Sequence, residues 1–226
     1  AGETISLGIG QGYNNFTMLQ LALATGVIAN DGIKMKPHLV KEVVDVVTRT
    51  SRETLREIKA EAIADPKNIA VIRNALVGVN TEGTGATAFR GAGYVAAGKT
   101  GTAQVVAIKQ NEKYNAARMA ERLRDHALYM AFAPADKPKI ALAMVVENAG
   151  FGGAMAAPIA RRVFDYWLLG QSPTPEDMAA VQKGQAGPPP GAPRPPASAA
   201  SAPASASTAT PPMAAAASAV KTQPTP

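Results

Sequence analysis

Not one of the 226 residues is a cysteine. That absence excludes a disulfide scaffold and any thiolate zinc site, and it leaves the redox compartment open. Histidine is nearly as scarce. His38 and His126 stand alone, with no second histidine or cysteine at ligand spacing, so no metal site is expected; no motif calls for a cofactor. No apolar run reaches the roughly 18–20 residues needed to cross a bilayer. The opening AGETISLGIG has neither a basic n-region nor an apolar h-region, so it does not read as a signal peptide. It also lacks a start methionine, which suggests a piece of a longer protein. The net charge of +6 slightly favours acidic partners but is too weak and dispersed to point to nucleic acid.

Proline is present but unevenly placed. Thirteen of the eighteen prolines lie beyond residue 171, in a stretch that is otherwise mostly Ala, Ser, Thr and Gly. With almost no large apolar side chains, residues 172–226 cannot bury enough surface to offset the entropy of ordering, and they read as a disordered tail with a polyproline bias. Residues 1–171 are expected to be one portion of a larger domain.

Within 1–171, Thr17-x-x-Gln20 is a capping box ahead of helical apolar spacing that Asn30-Asp31-Gly32 stops, so a helix is expected over about 18–30. HLVKEVVDVV is β-branched, and ETLREIKAE is either its partner strand or a short helix. Asp65-Pro66 supplies an N-cap and a first-turn proline for a second helix through KNIAVIRNALVGV. TEGTGATAFRGAG reads as a glycine-rich loop. EKYNAARMAERLRDH has the composition of an exposed charged helix whose Arg118, Arg122 and Arg124 form a solvated basic side. HALYMAFAP and KIALAMVVE read as a hairpin turning at Ala135-Asp136-Lys137-Pro138. After the loop NAGFGG, Pro158 starts a helix with an apolar stripe of Ile159, Val163, Phe164 and Trp167, the tryptophan being expected in the core. This order suits an α+β fold, an antiparallel sheet flanked by helices.

GYVAAGKTGTAQVV satisfies two patterns at once. Gly93-x-x-x-x-Gly98-Lys99-Thr100 matches a phosphate loop, and Lys99-Thr100-Gly101 matches the K-T-G element of penicillin-interacting serine enzymes. A phosphate loop needs a strand before it, a small flexible loop and a helix at the Lys-Thr. AFRGAG is no strand, Tyr94 and Val95 are bulky, and Gly101 followed by TAQVVAI starts a helix poorly. Only Glu147, closing an apolar strand like a magnesium-side acid, favours the nucleotide. A strand suits Val105, Val106 and Ile108, while Gly98 and Gly101 leave room for a backbone or a ligand. Lys99, Thr100 and Thr102 would then gather a cation and two hydroxyls, a set suited to a carboxylate.

That setting resembles the C-terminal half of the class B penicillin-binding proteins, the elongation type more than the division type. The resemblance rests on SLGIGQGYNNFTMLQLALATGVIANDG, AAGKTGTAQV, HALYMAFAPADKPKIALAMVVEN and AAPIARRVFDYWL, in family order over about residues 6–169. It implies a partial penicillin-binding, serine β-lactamase-like transpeptidase domain that cross-links peptidoglycan stem peptides and is acylated by β-lactams. It also implies a lipid-linked precursor as substrate, a membrane glycosyltransferase of the elongation machinery as partner, and a place on the periplasmic face of the inner membrane with an anchor upstream. Carried over by the motif, Lys99 supports the proton network, the hydroxyls of Thr100 and Thr102 flank Gly101 to hold a terminal carboxylate, and the Thr102 N–H is an oxyanion donor. A β-lactam sensor or non-catalytic binding module would share K-T-G.

The family's S-x-x-K nucleophile motif and S-x-N motif precede K-T-G, yet no S-x-x-K stands before Lys99 and no S-x-N stands anywhere. Ser218-Ala219-Val220-Lys221 fits S-x-x-K by chance, inside the tail, where no fixed base could reach it. The segment alone is therefore expected to be inactive. His38 is expected in a loop, and His126 is expected to be structural or to line the cleft.

Overall fold

The computed structural model describes residues 2–60, 65–106, 114–176 and 179. After a first helix, α1 (Gly2–Gly8), helix α2 (Met18–Ala29) begins at the expected capping box. The Gln20 N–H donates to Thr17 Oγ1 at 3.2 Å and the Thr17 N–H donates to Gln20 Oε1 at 2.9 Å. Asp31 at φ 53° and Gly32 at φ 88° end it in the left-handed region.

Residues 34–60 form two antiparallel ribbons, of which the inner one in sequence is exposed. Strand β1 (Lys34–Met35) pairs with β4 (Ile58–Ala60), and between them β2 (Glu42–Val44) pairs with β3 (Ser51–Glu53). The β-branched run therefore finds its partner in Ser51–Glu53, and the end of ETLREIKAE is strand, not helix.

Helix α3 (Pro66–Thr81) follows its Asp65 cap, which accepts from the Lys67 N–H at 2.8 Å. The stretch expected to be only loop contains a one-turn helix, α4 (Ala86–Phe89). Its Ala88 and Phe89 are buried, so tertiary packing stabilises a turn that the flanking glycines disfavour.

Three strands then build the main sheet in the order β5–β6–β7: β5 (Ala97–Ala103), β6 (His126–Ala133) and β7 (Ile140–Val146), all antiparallel. The hairpin is as expected. The segment before it is not a helix: two short 3₁₀ turns at Ala116–Arg118 and Glu121–Leu123 carry Arg118 and Arg122 exposed and Arg124 half-buried. Polar composition signals exposure but supplies no apolar stripe to hold a long helix. Residues 107–113, including Ile108, lie outside the described residues, and β5 ends before Val105.

The pleat of β6 divides the core. Ala127, Tyr129, Ala131 and Ala133 face α4 and a last helix, α5 (Ala156–Leu169), against Phe89, Ala156, Ala160 and Phe164. Phe132 faces the other way with Ala97, Ala29, Leu76 and Val77 from α2 and α3. Alanines dominate both contacts, which lets helices and sheet approach closely around a few large rings.

Helix α5 corrects the expected stripe. Phe164 is buried, but Ile159 is only half-buried and Val163 and Trp167 are exposed, Trp167 at 63%. The buried face instead carries Arg161 and Asp165, an i,i+4 pair at 2.8 Å. Arg161 also donates to the carbonyls of Ala88 and Arg90, and Tyr94 Oη donates to Asp165 at 2.9 Å. A charge buried with this many partners replaces apolar packing, and hydrophobicity counts cannot see it. Helix α5 stops at Gly170, φ 66°. Among the described residues no helix is long and apolar enough to cross a membrane. The expected disordered tail falls, apart from residues 172–176 and 179, outside the described residues.

Candidate active site

The K-T-G motif lies on β5, an outer strand of the sheet that among the described residues pairs only with β6, Lys99 opposite Met130 and Thr100 opposite Tyr129. No helix starts at Lys99-Thr100, so the phosphate-loop arrangement is excluded. Glu147 follows β7, with β6 lying between it and the motif.

In an antiparallel pair the N–H and C=O of one residue point to the same side, and successive residues alternate. Gln11 Nε2 donates to the Thr102 carbonyl at 2.7 Å, and Lys99 Nζ donates to the Thr100 carbonyl at 2.7 Å. Both carbonyls therefore face the unpaired edge of β5, and the N–H groups of Thr100 and Thr102 face it with them. Lys99 and Gly101 turn their backbone toward β6.

The same pleat separates side chains that the sequence places together. Thr100 and Thr102 share one face of β5 with the Tyr129 side of β6; Lys99 lies on the opposite face with Ala97 and is exposed. The cation and the hydroxyls meet only along the edge, where the lysine folds back onto Thr100.

On the hydroxyl side lies an open cleft of ≈ 570 Å³, lined by Thr84, Thr87, Thr100, Thr102, Phe151, Gly152 and Gly153 among others. Thr84 Oγ1 and Thr100 Oγ1 are 2.7 Å apart. Gly152 packs so closely over the sheet that a Cβ there would collide with the carbonyls of Leu128 and Gly101, and one on Gly153 would stand 2.6 Å from the Thr84 carbonyl. The loop between β7 and α5 thus needs glycine to close on the motif.

Gly98 serves differently from the expectation of room for a ligand or a second backbone. An added Cβ would stand 2.8 Å from Tyr129 Cζ and 2.9 Å from Ala131 Cβ, so the space is filled by the Tyr129 ring. Tyr129 Oη donates to Asn80 Oδ1 at 2.7 Å and Asn80 Nδ2 donates to the Ala96 carbonyl at 3.0 Å, tying the end of α3 to the start of β5. Burial pushes the Tyr129 hydroxyl above its ordinary value, so it stays a neutral donor.

His126 is half-buried at the start of β6, and its Nδ1 accepts the Asn148 N–H at 2.9 Å. Asn148 sits at φ 56° and donates from Nδ2 to the Arg124 carbonyl. Of the two roles open to His126, these contacts are those of a structural residue holding the turn after β7. His38 is exposed in a loop, its Nδ1 2.9 Å from the Val40 carbonyl.

Gln11 and Thr84 were not singled out from sequence. Gln11 stands between Gly10 and Gly12, both at positive φ, and Thr84 between Gly83 and Gly85. A polar residue flanked by two glycines is the signal that could have found both. As chemistry, the site offers edge donors and acceptors, a cation and hydroxyls. Thr100's hydroxyl partner is another hydroxyl, not a base, so this arrangement binds and polarises but does not itself attack.

A family profile described as Penicillin binding protein transpeptidase domain matches residues 1–165. The peptidoglycan D,D-transpeptidase MrdA of Haemophilus influenzae is 44% identical over 178 residues, 77% of this chain and 27% of that protein. A solved ceftriaxone acyl-enzyme of penicillin-binding protein A from M. tuberculosis is 33% identical at a TM-score of 0.58, covering 72% of this chain and 35% of that one. A complex between the penicillin-binding protein PBP2 and MreC from Helicobacter pylori is 27% identical at a TM-score of 0.55, covering 75% of this chain and 28% of that one. The chain spans about a quarter of the length of the curated relative it matches.

Proposed function

The chain belongs to the penicillin-binding protein transpeptidase family, and we propose that it contributes the K-T-G wall of an elongation-type peptidoglycan D,D-transpeptidase. In this reading the whole protein cross-links stem peptides, drawn from a lipid-linked precursor, through a serine acyl-enzyme that β-lactams also form. Its place is the periplasmic face of the inner membrane, alongside a membrane glycosyltransferase of the elongation machinery. Residues 1–171 are the transpeptidase portion and 172–226 a Pro/Ala/Ser-rich tail.

The observation that carries the reading is the open edge of β5, with the Thr102 N–H beside a lysine and two threonines. An extended peptide can lie along such an edge through main-chain hydrogen bonds. In this reading the Thr102 N–H receives an oxyanion, the Thr100 and Thr102 hydroxyls hold a carboxylate beside Gly101, and Lys99 supplies positive charge next to the attacking group. A second oxyanion donor would be the nucleophile's own N–H. One such donor is worth roughly 2.7–4 kcal/mol in other hydrolases, so without the serine motif these 226 residues hold a half-built site.

Incubated with a labelled penicillin and then denatured, residues 1–226 are expected to carry no covalent label; a stoichiometric adduct would overturn the assignment of the nucleophile to another segment. In a transpeptidase joining this segment to S-x-x-K and S-x-N, Lys99→Met is expected to slow acylation at least about 10²-fold. Gly93→Ala, outside β5, is expected to change it little. Normal acylation in Lys99→Met would sink the reading.

A further inference from the structure

The cleft beside the K-T-G strand contains a hydroxyl that the strand does not supply. Thr84 sits in the turn between α3 and α4, its Oγ1 2.7 Å from Thr100 Oγ1. That turn is tightly built. The N–H groups of Gly83 and Gly85 donate to the Gly78 and Val79 carbonyls at 3.0 and 2.9 Å, and a Cβ on Gly83 would stand 2.8 Å from Val79 Cα. A Cβ on Gly85 would collide with Asn80, the residue that anchors Tyr129. Thr84 is therefore presented by a rigid element.

The loop between β7 and α5 borders Thr100 as well. A Cβ on Gly153 would be in ordinary contact with Thr100 Cγ2, at 3.6 Å, so glycine leaves that space open beside the methyl while Thr84 holds the hydroxyl. A β-branched side chain has few rotamers, and the bond to Thr84 favours one of them.

Resting on the transpeptidase reading above, we propose that Thr84 is a positioning residue, which donates its proton to Thr100 Oγ1 so that the Thr100 proton is aimed at the substrate's terminal carboxylate. Each hydroxyl carries one proton, and an ionised carboxylate only accepts. Once the carboxylate accepts a hydrogen bond from the Thr100 hydroxyl, the bond between the two hydroxyls has one direction left, from Thr84 to Thr100. Aligned in that order, the two bonds polarise each other, and Thr100 becomes a stronger donor.

The test uses the transpeptidase that joins this segment to its serine motifs, measuring second-order acylation by benzylpenicillin and by its methyl ester, in which the carboxylate is masked. Thr84→Val is expected to slow acylation by benzylpenicillin about tenfold, the scale of one charge-linked hydrogen bond. It should leave the ester's rate unchanged, and Thr84→Ser should restore the benzylpenicillin rate to within about twofold. Thr84→Asp, which can only accept when ionised, should slow benzylpenicillin more than Thr84→Val does. Thr100→Val should itself slow benzylpenicillin, and Thr84→Val added to Thr100→Val should cost nothing further. Wild-type rates in Thr84→Val, equal losses with acid and ester, or additive effects of the two valines would overturn the role of Thr84 while leaving K-T-G in place. Wild-type rates in Thr100→Val would overturn both.

Discussion

The chain contains two kinds of antiparallel pairing, and they differ in what lies against them. In the ribbon β2–β3, Val43 and Val44 are 53% and 49% exposed and Glu42 pairs with Glu53. In the sheet β5–β6–β7, every second residue of β6 from Ala127 to Ala133 is fully buried beneath helices. Val43 and Val44 lie in a strand of the ribbon, and β6 forms a strand with no valine at all. A strand becomes part of a core only where helices cover its faces, and only the covered strand can hold the motif residues still. The site's precision thus comes from the alanines, glycines and rings behind β5 more than from β-propensity along it.

The largest effect should come from emptying the covered sheet. Phe132→Ala removes a fully buried ring between β6 and α2–α3, and a loss of about 3–5 kcal/mol is expected by denaturant unfolding. A loss under about 1 kcal/mol would mean that the helices do not seal that face.

Next is the polar tie. Tyr129→Phe strands Asn80 Oδ1 in a buried setting, with an expected cost of about 1–3 kcal/mol. In a transpeptidase carrying the segment, the acylation rate should fall with it if the tie positions β5; unchanged acylation would confine Tyr129 to stability.

A pH series sharpens the contrast. Burial raises the folded hydroxyl of Tyr129 above its ordinary value, so above about pH 10 the unfolded chain releases a proton that the folded chain keeps. Its contribution is present below pH 10 and declines above it, by up to about 1.4 kcal/mol per pH unit. Tyr129→Phe should unfold with a shallower alkaline slope than the parent, and identical slopes would contradict the burial argument.

The smallest effect belongs to the ribbon. Val44→Thr, in an exposed pair, should stay within about 0.5 kcal/mol of the parent in the same unfolding assay. A change several times larger would show that the ribbon is covered in the full protein.

Local chemistry was readable where it acts over a few residues. Thr17 with Gln20 and Asp65 with Pro66 announce helix starts, and the turn at Ala135-Asp136-Lys137-Pro138 announces the hairpin, because caps and turns are satisfied within four residues. Composition misled where distant partners decide. The arginines around 118–124 suggested a helix that tertiary structure does not support. On α5, the Arg161–Asp165 pair with Tyr94 takes the inner face from Trp167. Gln11 and Thr84 stayed hidden because their partners, Thr102 and Thr100, are 91 and 16 residues away.

The sequence by itself determined that Lys99-Thr100-Gly101 lies on a strand, since glycine and β-branched residues after the lysine refuse a helix, although the strand runs Ala97–Ala103 and has the motif at its centre, not at its start. It also determined that the chain contains no S-x-x-K ahead of that strand. Tertiary structure alone decided which way the motif faces. The pleat sends Lys99 to one face and Thr100 and Thr102 to the other, and leaving β5 unpaired on one side turns the Thr102 N–H outward. Gly152 and Gly153 then bring a loop down onto Gly101 and Thr84. Those outcomes depend on which strand lies beside β5 and which loop lies above it, and no local pattern encodes contacts between residues so far apart in the chain.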